Sequence, residues 1–223
     1  MKIEYIYHSG FSLETENYFL VFDYYRGDIE LKDKPTYVFC THDHPDHFNP
    51  EIFNWAKGKS NILYILSSDI ENTPPVKATF IDPYEEFIIN DLHIKTFGST
   101  DKGVSFLIQV DKKNIFFAGD LNWWHWKDNT DAEKYQEEKD FKAEINKIKG
   151  NNIDLAFFPV DPRLEEYYYL GGDYFINEIQ PKVFIPIHFG DNYEITKKFI
   201  NKMKDSSTYI VEITSENQII DLI

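Results

Sequence analysis

Thr41-His42-Asp43-His44-Pro45-Asp46-His47 gathers three histidines and two aspartates into seven residues, directly behind the apolar run Tyr37-Val38-Phe39-Cys40. Imidazole nitrogens and carboxylate oxygens are the donors that Zn²⁺ and similar divalent ions take. A strand that ends in five such side chains is built to hold metal. His42 and His44 are two apart, so in an extended segment they project the same way and can chelate one ion. Pro45 forces a turn, which lets Asp46 and His47 beyond it serve a second position nearby.

Three further groups close apolar runs in the same manner. Asp23 follows residues 18–22, Asp120 follows 115–119, and His188 follows 183–187. Strand ends gathered at one edge of a sandwich would put all of them in a single cleft.

The two halves of the chain repeat one plan. Runs 11–15 and 18–22 surround the turn Glu16-Asn17, and runs 104–110 and 115–118 surround a turn at 111–114. In each hairpin an asparagine, Asn17 or Asn114, lies six residues before the closing aspartate, Asp23 or Asp120. Each is followed by another strand-like run ending in polar chemistry: 37–40 with the histidine cluster, and 155–158 with Asp161. Further strands are expected at 62–66, 87–89 and 92–97, then at 183–187, 209–213 and 218–220.

Helical signals fall between the strands. Asn49-Pro50 opens a short helix burying Ile52, Phe53 and Ala56. Residues 131–149 form the longest, with Tyr135, Phe141, Ile145 and Ile148 near one face and Gly150 as the stop. Asp191 with Glu194 resembles a capping box before a helix whose face is Ile195, Phe199 and Met203. The pattern predicts one α/β domain over residues 1–223: two sheets face to face with helices on both outer faces, a four-layer αββα sandwich.

Composition narrows the function classes. Twenty-three basic against 38 acidic residues give a net charge of −15, which argues against a nucleic-acid partner held through its phosphates. No apolar run approaches the ~20 residues of a membrane span, and Met1-Lys2-Ile3-Glu4-Tyr5 reads as a strand, not a signal-peptide core. Cys40 is the single cysteine, so neither an intrachain disulfide nor a cysteine metal cluster forms. A soluble, cytoplasmic protein acting on a small molecule, without a membrane partner, is the expectation. Arg26 and Arg163 are the two arginines. Arg163, in Asp161-Pro162-Arg163 and close to Tyr167, Tyr168 and Tyr169, suits a small anion by its planar fork; the alternative is a surface pair with Glu165 or Glu166.

His-x-His-x-Asp-His at 42–47, a strand-terminal Gly-Asp and a late lone histidine together resemble the metallo-β-lactamase-fold superfamily over nearly the whole chain. Tyr7-His8-Ser9-Gly10-Phe11 is similar to the Gly-His-Ser/Ala opening of its ascorbate-6-phosphate lactonase-like branch. The resemblance implies a metal-dependent hydrolase with one or two ions at the sheet edge, Zn²⁺ foremost and Mn²⁺ or Fe²⁺ as alternatives. It assigns His42 and His44 to a first ion, Asp46, His47 and His188 to a second, and Asp120 to a bridge between them. Asp23 orients the histidine cluster, and His8 lies near the site without ligating. Metal lowers the pKa of bound water from 15.7 to about 7; Asp46 would orient that nucleophile and accept its proton during attack on an ester, lactone or phosphodiester. A diiron oxygen-reducing site in this fold usually carries a carboxylate where this chain has His44, so the resemblance implies hydrolysis.

One loop departs from the family pattern. Relatives supply a further histidine to the first ion in a loop corresponding to Phe97-Gly98-Ser99-Thr100-Asp101-Lys102-Gly103, and here Ser99 stands in its place. A neutral hydroxyl is a poor ligand. Asp101, water, or His125 of Asn122-Trp123-Trp124-His125-Trp126 could substitute; Asp101 or water is expected, leaving His125 as a pocket residue and the tryptophans as a packed lid or a substrate wall. A depleted first site predicts one well-held ion and a weaker second. The alternative is a degenerate member that binds metal or ligand without turnover.

Overall fold

The Tyr37-Val38-Phe39-Cys40 run is buried on both faces, the signature of a parallel strand covered from two sides. Its alternate residues serve different cores. Tyr37 and Phe39 join the large cluster between the two sheets, whereas Val38 and Cys40 join a smaller one beneath an outer cover. The computed structural model describes residues 1–71 and 76–222.

The first sheet contains β1 (Lys2–Tyr7), β2 (Gly10–Glu14), β3 (Phe19–Phe22), β4 (Thr36–Cys40), β5 (Ile62–Ser67), β6 (Ala78–Ile81) and, at its edge, β14 (Ile219–Asp221). The second contains β7 (Glu86–Ile89), β8 (Leu92–Phe97), β9 (Ser105–Val110), β10 (Lys113–Phe117), β11 (Leu155–Pro159), β12 (Val183–Ile187) and β13 (Tyr209–Ile210). Their strand orders are β14-β1-β2-β3-β4-β5-β6 and β7-β8-β9-β10-β11-β12-β13. Both begin antiparallel and become parallel after the hairpin, β3 to β6 in one and β10 to β13 in the other. The repeat expected from the asparagine–aspartate spacing is therefore a repeat of topology. Equivalent strands also meet across the interface, with Phe22 of β3 stacked on Phe117 of β10 at 4.7 Å and 9°.

Helices α1 (Asp131–Ile148), α2 (Leu170–Ile179) and α3 (Glu194–Lys202) cover the second sheet. Phe175 of α2 stacks on Phe158 at 4.5 Å, and Phe199 of α3 lies 5.2 Å from Phe184. The first sheet is covered instead by the 3₁₀ segment Pro50–Lys57, with Ile52 and Phe53 buried, and by loops carrying Ile29, Leu31 and Ile70. The αββα sandwich is present, with one thin outer layer.

Local departures have local causes. A Thr130–Glu133 capping box starts α1, and Tyr135, expected on its buried face, is 68% exposed because the packed stripe begins at Phe141. No side chain caps α3, so Asp191 does not form the expected box with Glu194. Of the strand expected at 209–213, Tyr209–Ile210 is regular strand, and the Val211 N–H still donates to the Phe184 carbonyl at 2.9 Å. Helix α2 was not anticipated, since Leu170-Gly171-Gly172 is a weak helical start. Gly172 is needed there because a Cβ would lie 2.7 Å from the ring of Phe199.

Candidate metal centre

Parallel pairing fixes where the chemistry gathers. Strands β3, β4, β10, β11 and β12 run the same way within their sheets, so the residues just beyond their C-terminal ends share one edge. Those residues are Asp23, the 41–47 cluster, Asp120, Asp161 and His188. Asp23 and His188 sit at φ 41 and 66, in the left-handed region that a non-glycine residue enters only when its surroundings hold it there.

Three histidines have their Nδ1 atoms engaged on the side away from the centre. Nδ1 of His47 lies 2.8 Å from Oδ2 of Asp23, which also accepts from the Thr41 hydroxyl at 2.7 Å, while Oδ1 of Asp23 accepts from the Thr41 N–H at 2.8 Å. Because the Thr41 hydroxyl proton goes to Asp23, its oxygen accepts from Nδ1 of His42 at 2.9 Å. Nδ1 of His188 lies 3.0 Å from Oδ2 of Asp161. Asp161 is itself buried and clamped by Arg163, whose Nε reaches Oδ2 at 2.8 Å.

The opposite nitrogens converge on Asp120. Nε2 of His47 is 3.0 Å and Nε2 of His188 3.2 Å from Oδ1, while Nε2 of His42 is 3.4 Å from Oδ2. Nε2 of His42, Nε2 of His47 and Oδ1 of Asp120 are buried and lack any partner with hydrogen-bond geometry. Unsatisfied buried donors and acceptors are costly, and a divalent cation would satisfy this set together. Two groups have ligand atoms within 4.8 Å of one another around this carboxylate: His42, His44 and Asp120, and His8, Asp46, His47 and His188. Asp23 meets the same distance test with His42 and His47, but its oxygens are already taken by Thr41 and His47. The residues present fit one or two divalent ions.

Electrostatics agree. Burial opposes the charged form of His47, yet Asp120 and Asp23 override it and carry its pKa up to about 10. His188 is likewise raised, against burial, by Asp120 and Asp161. Burial works against ionised Asp120, but His188 and His47 hold it well below the usual carboxylate range. Without metal, protons supply the positive charge that these buried carboxylates demand.

The centre opens into a cleft of about 290 Å³ lined by His44, Asp46, Thr100, Asp101, Asp120, Trp124, Trp126, Glu137, Arg163 and His188. Ser99 is not in that lining; its hydroxyl accepts from the Asp101 N–H at 3.2 Å. Asp101 approaches instead, with Oδ2 at 3.9 Å from Nδ1 of His44. His125 also lies outside the lining, 4.4 Å from the ring of Tyr167. Trp124 and Trp126, which both line the cleft, stack in parallel at 5.7 Å. Trp124 is a packed wall whose indole N–H donates to the Asp120 carbonyl at 3.0 Å. Arg163 pairs with Asp161, not with Glu165, which bonds Lys127.

Sequence reasoning singled out Asp161 as a strand end but not as the partner of His188, and it did not foresee Thr41, Thr100 or Glu137. For Asp161 a signal existed: a polar residue closing a buried strand, two places before one of two arginines. Glu137 reaches the cleft only through the docking of α1.

A comparison with curated proteins finds no match. Solved structures share the fold across the whole chain. A metallo hydrolase, Igni18, from the archaeon Ignicoccus hospitalis is 16% identical, covers 99% of this chain and 98% of its own, and has a TM-score of 0.68. An isothiocyanate hydrolase from Delia radicum gut bacteria is 12% identical over 100% and 99% of the two chains, with a TM-score of 0.59. CmlA, a diiron beta-hydroxylase from Streptomyces venezuelae, is 9% identical over 99% of this chain and 54% of its own, at 0.67. At such identities the likeness speaks for the fold alone. The model of the beta-lactamase superfamily domain matches residues 2–188, and the chain belongs to that family.

Proposed function

We propose that the protein is a metal-dependent hydrolase acting on an ester, lactone or phosphodiester bond of a small anionic substrate. The observation that carries this reading is the set of buried Nε2 atoms of His42, His47 and His188 around Asp120, with every Nδ1 tied off behind them. His42, His44 and one oxygen of Asp120 would hold one ion; Asp46, His47, His188 and the other oxygen would hold a second. Zn²⁺ suits the imidazole share of these donors, and Mn²⁺ or Fe²⁺ suits the carboxylate share. Bound metal supplies Lewis acidity toward a substrate oxygen and makes water acidic enough to attack at neutral pH.

The chain's own groups do the rest. Asp46 lines the cleft, and although burial opposes its charge, His47 and His8 hold its carboxyl below the usual range. Ionised at neutral pH, it orients the attacking water and takes its proton. Arg163 commits Nε and Nη2 to Asp161 yet keeps its side chain 56% exposed in the cleft lining, so its remaining edge can receive an anionic group. Asp101 and Glu137 line the same cleft and disfavour a second negative charge on the substrate. The similarity of the 7–11 segment to the lactonase-like branch adds weight to a lactone or sugar-phosphate substrate.

A second reading, metal or ligand binding without turnover, draws on Ser99. Among the described residues no imidazole takes the position left to it, and His44 has only Asp101 nearby at 3.9 Å. Metal analysis of protein purified without chelator, coupled to turnover of a lactone and phosphodiester panel, separates the two. Retained metal with turnover lost in Asp120→Ala supports the hydrolase. Retained metal with silence across the panel favours the binding reading, and protein that neither carries nor takes up Zn²⁺ or Mn²⁺ refutes the hydrolase and metal binding, leaving ligand binding alone.

A further inference from the structure

His8, the residue after β1, adopts φ 58, a conformation unfavourable for a side chain with a Cβ. Its own surroundings enforce it. The His8 N–H donates to the Tyr5 hydroxyl at 2.9 Å, its carbonyl accepts from the His188 N–H at 3.2 Å, and its ring lies 4.2 Å from that of His188. Backbone strain of this kind gathers where a side chain must be aimed. Here the aim is inward: Nε2 of His8 comes within 3.5 Å of Oδ2 of Asp46, and it is buried without a hydrogen-bond partner.

The spacing has a chemical meaning. His8, Asp46, His47 and His188 each present a ligand atom, all within 4.8 Å of one another. Two donors on opposite sides of one ion, each bonded at ~2.1 Å, stand ~4.2 Å apart. All four therefore face one space of about the size that a single ion spans.

We propose that His8 is a direct ligand of the ion held by Asp46, His47 and His188. The inference rests on the metal-dependent reading above and extends it by dividing the work between two ions. With Oδ1 of Asp120 this position gathers five protein donors, which leaves little room for water or substrate. The other position, with His42, His44 and the second oxygen of Asp120, has three donors, the number at which a catalytic metal keeps an open place. The histidine replaced by Ser99 is then not a simple loss. The position that lacks an imidazole at Ser99 is the open one, beside a tightly held ion.

The test uses the full chain stripped of metal and titrated with Co²⁺, followed by its visible absorption, with Zn²⁺ affinity measured by competition against a chromophoric chelator. His8→Asn is the first variant, because asparagine tolerates left-handed backbone and lacks the imidazole. The tighter Co²⁺ step should weaken by about 100-fold or more and its absorption band should shift, with the weaker step unchanged. Loss of a partner outside the ligand set also weakens binding, by about 10–100-fold, so the band is the deciding readout. An unchanged band, at whatever affinity, would overturn the role of His8 while leaving the metal-dependent reading intact. A wild-type protein that binds neither Co²⁺ nor Zn²⁺ would remove both. Should His8→Asn fail to fold, His8→Gly relieves the backbone strain, and added imidazole should restore the wild-type band. A folded His8→Gly that binds Co²⁺ with the wild-type band before imidazole is added would overturn the proposal, as would one whose shifted band imidazole leaves unrestored.

Discussion

Gly103 lies so close to Thr41 that a Cβ on it would fall 1.9 Å from the Thr41 carbonyl oxygen and 2.6 Å from Cβ of His42. Gly119 presses on the same residue, with a virtual Cβ 2.7 Å from Oγ1 of Thr41. The loops that enter β9 and leave β10 in the second sheet thus clamp the strand end of the first, and they bring Asp120 to His42.

Gly103→Ala should therefore be costly. The new methyl meets backbone, not a flexible side chain, and φ is +71. A loss of about 2–5 kcal/mol is expected from combined strain and overpacking, read as a lower urea midpoint. Gly150→Ala is the control: its φ is +86 but nothing lies within 4 Å, so only about 1–2 kcal/mol should be lost.

Asp161 acts through His188. Asp161→Ala should weaken binding of the tighter ion about 10–100-fold, because the imidazole loses the acceptor that sets its tautomer and orientation. Asp161→Asn, which keeps one acceptor oxygen, should lose less. Competition with a chromophoric chelator gives both values, and wild-type affinity in the alanine variant would contradict the assignment.

Metal should displace protons. With its pKa carried up to about 10, His47 is protonated in the metal-free chain at neutral pH, and Asp120 and Asp161 shift His188 in the same direction. The Nε2 atoms must be free to ligate, so binding at pH 7 should release protons, at least the one on His47. Calorimetry in buffers of different ionisation enthalpy counts them. The same shift affects stability. A raised folded pKa means that the His47 interaction is fully present below 6.5 and is lost as pH rises through about 10. The urea midpoint of metal-free protein should fall across that window, and that of metal-loaded protein should not.

Asp101 and Ser99 should behave differently although they are neighbours. Asp101→Ala should weaken the ion at His42 and His44, since its carboxylate is the nearest further donor at 3.9 Å from His44. Ser99→Ala should leave metal affinity within about threefold of wild type, because its hydroxyl serves the Asp101 N–H. Co²⁺ titration of the two variants in parallel checks this.

Much of this protein was legible in one dimension. The 41–47 motif put imidazoles and carboxylates at one strand end, and buried runs ending in Asp23, Asp120 and His188 put these residues at the same edge, because parallel pairing turns strand ends into a shared edge. The asparagine–aspartate spacing exposed the repeated topology, since hairpin length is a local property. Tertiary structure alone decided the rest. Whether His8 stands beside the site or aims into it depends on a left-handed backbone held by Tyr5 and His188. Whether Arg163 is a surface cation or the clamp on Asp161 depends on where β11 ends relative to β12. Whether Asp101 or His125 approaches His44 depends on the stacking of Trp124 on Trp126 and on the bonding within the 99–101 loop. Residue type and spacing announce which donors a chain owns; their orientation is set by contacts between residues far apart in sequence, which no local pattern encodes.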